Sequence, residues 1–160
     1  MASKSPEKTN VMRLLEQKKI PYEVHMLDNA EGLTGVEIAE RLGLDPSYGF
    51  KTLVTVSASK RNYVFIVPVA MELDLKKAAK ITNEKWIEMI PQKELLPLTG
   101  YVHGGCSPIG MKKQFKTFIH ESAVAFPKIR ISGGKVGVQV ELELASLQKM
   151  VPVQPADIAS

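Results

Sequence analysis

Residues 103–113, HGGCSPIGMKK, gather a histidine, three glycines, the chain's one cysteine, a serine and two lysines. These types and spacings raise three questions: a nucleophile, a phosphate cradle, or a loop that works through its backbone. A thiolate or alkoxide needs a neighbouring base or cation. His103 precedes Cys106 closely, but no third residue is in view to aim it. Ser107 sits in G-G-C-S-P, not in the G-x-S-x-G elbow. A Walker A cradle counted from Gly105 places Met111 where the lysine belongs. Pro108 also lacks the amide that a cradle donates. His25, His103, His120 and Cys106 show none of the close pairings of a zinc site, so neither a metal nor a cofactor is expected.

Backbone chemistry remains. Glycines let a main chain approach a ligand closely, and turn amides can point at a developing oxyanion. A second glycine turn, Ser132-Gly133-Gly134-Lys135, falls between two strand-like segments and by itself reads first as a plain hairpin. Lys51 lies in FKTLVTV, whose alternation puts Phe50, Thr52 and Val54 on one face and Lys51, Leu53 and Thr55 on the other. It either snorkels at a strand end or faces a pocket as a cation for a phosphate or carbonyl oxygen.

The elements that must hold these residues are legible. Ser5-Pro6-Glu7 reads as a helix start, with Val11, Leu14, Leu15 and Lys18 at helical spacing and Ile20-Pro21 as the stop. Tyr22 to Leu27 alternates as a strand. Thr34-Gly35-Val36-Glu37 is a capping box and Gly43 a C-cap. Phe50 to Val56 and Tyr63 to Val69 form a hairpin around SASKRN. Asp74 caps a helix through Ile81, Trp86 to Ile90 is a short strand, and Pro91 to Glu94 opens a short helix. Thr117 to His120, Ile129 to Ser132 and Val136 to Glu141 read as strands, and Leu144 to Val151 as a last helix. Six or seven short strands with irregularly placed helices predict an α+β fold.

The 160 residues are read as one domain, 44% hydrophobic and 24% charged, the profile of a soluble globular protein. No apolar run is long enough to span a bilayer, and MASKSPEKTN lacks the apolar core of a signal peptide. One cysteine and these features fit a cytoplasmic protein. A net charge of +4 permits a nucleic-acid partner without requiring one.

Three segments together, FKTL at 50–53, TGYVHGGCSPIGMKK at 99–113 and SGGKVGVQVEL at 132–142, resemble the YbaK-type aminoacyl-tRNA deacylases. These are free-standing relatives of the editing domain of bacterial prolyl-tRNA synthetases. LLEQKKIPYEVH, ELDLKKAAK and PADIA extend the resemblance over about residues 8–159. It implies a mixed, curved, barrel-like sheet around a pocket, and hydrolysis of mischarged tRNA in trans. Cys-tRNA(Pro) is the typical substrate, sister groups prefer alanine, and a non-catalytic binding member of the fold is the other reading. Lys51 corresponds to the lysine needed for activity, flanked in FKTL by Phe50 and Thr52. Gly104, Gly105, Cys106, Ser107, Pro108 and Gly110 correspond to the pocket loop, and Ser132, Gly133 and Gly134 to the second pocket turn. The implied partners are the 3′ end of aminoacylated tRNA and, as a candidate, prolyl-tRNA synthetase. Leu27, Cys106 and Gln139 depart from residues common in relatives.

Overall fold

Eight strands and five α-helices make up the chain in a computed structural model that describes residues 8–160. The helix start expected at Ser5-Pro6-Glu7 lies outside those residues. Helix α1 (Asn10–Gln17) is capped by Thr9, whose hydroxyl accepts from Met12 N at 3.3 Å. It buries Val11, Met12 and Leu15. Helix α2 (Gly35–Leu42) shows both bonds of the capping box: Thr34 Oγ1 accepts from Glu37 N at 3.1 Å, and Glu37 Oε1 from Thr34 N at 3.0 Å. Gly43 ends it at φ 71°, the left-handed cap that suits glycine. Helix α3 (Leu75–Thr82) is capped by Asp74, α4 (Leu95–Thr99) follows a single 3-10 turn, and α5 is Leu144–Met150.

The strands form two sheets. The smaller has the order β1-β7-β6 (β1 Glu23–Met26, β6 Ile129–Lys135, β7 Val138–Leu142) and is antiparallel throughout. The larger has the order β4-β2-β3-β5-β8, with β2 Phe50–Ser57, β3 Asn62–Pro68, β4 Ile87–Met89, β5 Lys116–His120 and β8 Val153–Ala156. Its β2–β3 and β2–β4 pairs are antiparallel, whereas β3–β5 and β5–β8 are parallel. The mixed sheet expected from the sequence is present, but it is split in two and does not close. The strand beyond the six or seven expected is β8. Pro155 within it argues against a strand, and is tolerated because β8 lies at the sheet edge.

Strand β3 explains the packing. Val64 and Ile66 face the core between the sheets, against Val138, Val140 and Leu142 of β7, Ile129 and Ile131 of β6, and Leu15 of α1. Tyr63, Phe65 and Val67 face the other way, against Phe118, Ile158 and Ala78 of α3. Phe65 and Phe118 stack with centroids 5.6 Å apart. A strand buried on both faces must be apolar throughout, which is why YVFIVPV shows little alternation.

A single bridge, Gly49–Arg130, joins the two sheets. Arg130 is buried there, and its Nη2 donates to Asp45 O at 2.6 Å. Further along the same edge of β2, Thr55 to Ser57 pair with β4. Between seam and β4, at Phe50–Leu53, this edge has no strand partner among the described residues. The sheets part at that point.

Candidate active site

A pocket of about 390 Å³ fills the gap where the sheets part. One wall is the unpaired edge of β2, Phe50 to Leu53. Facing it are Ser132 of β6, Gly137 of the turn, and Val138 and Gln139 of β7. The loop residues His103, Gly104 and Cys106 form a third side with Leu95. The start of α2 covers the space through Thr34, Gly35 and Ile38, next to Val69 and Glu72. Helix α2 can approach so closely because residue 35 is glycine: a Cβ there would lie 2.7 Å from Val69 Cβ.

Lys51 lies opposite Val67 in the β2–β3 ladder, and its Nζ is 3.3 Å from Glu72 Oε1. Its side chain is 30% exposed against 84% for Glu72, so the pair sits at the pocket rim. Backbone pairing with the chain end fixes Glu72: its N–H donates to Ser160 O and its carbonyl accepts from Ser160 N, both at 3.0 Å.

The structure brings Phe50, Lys51, Thr52, Gly104, Cys106 and Ser132 to one pocket. Gly105, Ser107, Pro108, Gly110, Gly133 and Gly134 are not in its wall. A Cβ on Gly105 would lie 3.0 Å from Val136 N and 3.1 Å from Lys135 C, so the loop lies directly on the β6–β7 turn. That close approach joins the two glycine segments. Ser107 is fully buried and its Oγ accepts from Ile109 N at 3.2 Å. Gly134, at φ 97°, sits in the bulge between Ser132 and Lys135, and its N–H donates to Ser132 Oγ at 3.1 Å. Gly110, at φ 82°, lies beside the Tyr101 hydroxyl, which donates to Ile109 O.

Burial in apolar surroundings pushes the Cys106 thiol up to about 12, although Thr99 acts in the opposite direction. A neutral thiol is a poor nucleophile, and Cys106 belongs to the apolar cluster that holds Ile109 and Val138. The Gly105 amide donates to Val102 O at 3.0 Å and is already satisfied. The amides of Gly104 and Cys106 make no hydrogen bond to protein among the described residues.

The start of α2, Val69, Glu72 and Gln139 also line the pocket. Nothing local marks Glu72, whose place depends on pairing with the C-terminus. Gln139 does carry a signal: it is a polar residue within an apolar strand, VGVQVEL. Its Oε1, with Thr52 Oγ1 on the facing wall, is buried without a hydrogen-bond partner. Leu27 is outside the wall and holds the β7 entry turn through its amide, which donates to Gly137 O at 2.9 Å.

Residues 30–150 match the family model of the aminoacyl-tRNA editing domain. The chain belongs to that family. Over 158 residues it is 43% identical to EbsC of Enterococcus faecalis, named as a Cys-tRNA(Pro)/Cys-tRNA(Cys) deacylase, covering 98% of this chain and 96% of that one. The editing-domain fold recurs in solved structures. One, described as a trans-editing enzyme for prolyl-tRNA synthetase, superposes with a TM-score of 0.81 at 22% identity over 96% of this chain and 99% of that one. Another, of a hypothetical protein, gives 0.84 at 19% identity over 94% of this chain and 99% of that one. No helix among the described residues is long and apolar enough to cross a membrane.

Proposed function

We propose that this editing domain hydrolyses the ester between a wrong amino acid and the 3′ adenosine of tRNA, with Cys-tRNA(Pro) as its substrate. One observation carries the reading: Lys51, the glycine loop and the β6 bulge meet around one pocket where neither nucleophile candidate of the loop is activated. An aminoacyl ester is already an activated acyl group, so an enzyme need only hold it, exclude larger side chains and stabilise the oxyanion. The EbsC name supports cysteine as the amino acid.

For a cysteinyl ester, the attacking group is supplied by the substrate. Its thiol sulfur bonds to its own carbonyl carbon, the C–O bond to the ribose breaks, and the ribose oxygen takes the thiol proton. The cyclic thioester released is then opened by water. The enzyme's part is to fold the cysteinyl group so that sulfur and carbonyl meet. The free amides of Gly104 and Cys106 are the donors for the carbonyl oxygen as it gains charge. Lys51 holds the terminal phosphate or the ester at the rim, as a cation on a strand edge can. Exposed Lys76, Lys80, Lys112 and Lys113 contact acceptor-stem phosphates. This reading treats the chain as one editing domain at work in the cytoplasm, where charged tRNA is used. Prolyl-tRNA synthetase, the source of the mischarged tRNA, is its handover partner.

The test is hydrolysis of Cys-tRNA(Pro) and Ala-tRNA(Pro) by wild type and Lys51→Ala. Rapid loss of the cysteinyl ester, slowed about a hundredfold in Lys51→Ala, is expected. Preferential alanine release would replace the assigned substrate, and inertness toward both would leave the pocket as a binding site only.

A further inference from the structure

Two polar atoms on pocket-lining residues have no hydrogen-bond partner among the described residues. Gln139 Oε1 and Thr52 Oγ1 are both buried and both without a hydrogen-bond partner. Gln139 stands on β7 and Thr52 on β2, so they belong to opposing walls. Leaving a buried amide oxygen unpaired costs about 1–3 kcal/mol. Apolar residues occupy the neighbouring positions at no such cost: Val138 and Val140 flank Gln139, and Leu53 and Val54 follow Thr52. The two orphaned oxygens sit on residues that line one cleft, and a ligand donating to both, once the side chains turn toward it, would satisfy them.

We propose that Gln139, together with Thr52, binds the α-ammonium of the aminoacyl group and makes a free amine a condition of hydrolysis. The inference rests on the deacylase reading and adds a determinant to it. A cysteinyl ester brings three kinds of donor: the ribose hydroxyl with one O–H, the thiol with one weak S–H, and the α-ammonium with three N–H directed apart. Acceptors on opposite walls suit the group whose donors diverge. Neutral acceptors also suit a buried site, because a carboxylate there would itself need a partner. The one carboxylate of the pocket, Glu72, is at the exposed rim on Lys51. Gln139 also lies opposite Ser132 across the β6–β7 ladder, beside the bulge. That places Gln139 beside the glycine turn, and both it and Ser132 line the pocket. A nascent chain or formylated aminoacyl-tRNA has no such ammonium. The same pair would therefore spare peptidyl-tRNA and initiator-type esters.

Wild type, Gln139→Leu, Gln139→Glu and Thr52→Val are compared on Cys-tRNA(Pro) and on N-acetyl-Cys-tRNA(Pro). Each rate is divided by the spontaneous rate of the same ester. Wild type is expected to favour the free amine, and Gln139→Leu to lose about ten- to a hundredfold of that preference, the worth of a hydrogen bond to a charged group. Thr52→Val, which keeps the shape of the side chain, is expected to lose part of it, and Gln139→Glu, which keeps an acceptor, to retain it. Equal wild-type rates on both esters overturn the proposal, as does an unchanged preference in both Gln139→Leu and Thr52→Val. Wild type inert on both esters would instead sink the deacylase reading.

Discussion

Lys51 Nζ lies 3.3 Å from Glu72 Oε1, and Glu72 is itself held by a two-bond backbone ladder to Ser160. The cation at the pocket rim therefore has a neutralising partner fixed by the end of the chain. On the proposed function, an incoming phosphate or ester displaces or shares that carboxylate. Lys51→Ala is expected to lower kcat/KM for aminoacyl-tRNA by about a hundredfold, the scale of losing one electrostatic contact in an active site. Glu72→Gln is expected to change it less than about fivefold, since an exposed pair is worth about 0–1 kcal/mol. Its direction is upward, through KM, and the gain shrinks as salt rises. Kinetics of both variants at two ionic strengths check this.

Cys106 is 7% exposed and its thiol is protonated at neutral pH. Iodoacetamide at pH 8 is expected to leave both the folded protein and its activity intact, and to modify the thiol only in denaturant. Cys106→Ala is expected to remain active at a cost of about 1 kcal/mol in stability, the order of removing one small buried group. Mass spectrometry and urea melts provide the readouts. Rapid inactivation with label on Cys106 would return the thiol to the mechanism.

The same burial sets an alkaline limit. Folding raises the Cys106 pKa from 9.0 to about 12, so between those values the unfolded chain has lost a proton that the folded chain keeps. Stability is fully present below pH 9 and falls as pH rises toward 12, with a limiting slope of about 1.4 kcal/mol per unit from this group. Tyr101, raised to about 12 mainly by burial, adds to the decline over its own window above pH 10. Urea midpoints from pH 8 to 11 are expected to fall, and less steeply in Cys106→Ala.

Gly105 is not among the positive-φ glycines, yet it has no room for a side chain: a Cβ meets backbone atoms of Lys135 and Val136 at 3.0–3.2 Å. Gly105→Ala is expected to push the loop off the β6–β7 turn, destabilising the fold by about 1–3 kcal/mol. Activity is expected to drop well beyond what the melting temperature explains, because Gly104 and Cys106 move with the loop. Tm and kcat/KM measured on the same preparation separate the two effects.

What the sequence determined is local. The capping box at Thr34–Glu37, the Gly43 cap, the β2–β3 hairpin and the Asp74 cap rest on chemistry within a few residues, and they stand where the sequence places them. Ordered motifs also carried the family, the candidate loop and Lys51. Tertiary structure decided what depends on partners distant in the chain. Strand β8 exists because β5 offers it an edge, despite Pro155. The pocket exists because Gly49 and Arg130 tie the sheets at one point and β2 has no partner just beyond it. Glu72 reaches Lys51 because residue 160 returns to pair with it. Burial separated the loop into Gly104 and Cys106 at the wall and Gly105, Ser107 and Pro108 outside it. Hydrogen bonding left Gln139 Oε1 on β7 and Thr52 Oγ1 on β2 without partners. Short-range propensity can be read along a chain, but burial and pairing are properties of neighbours that only the fold brings together.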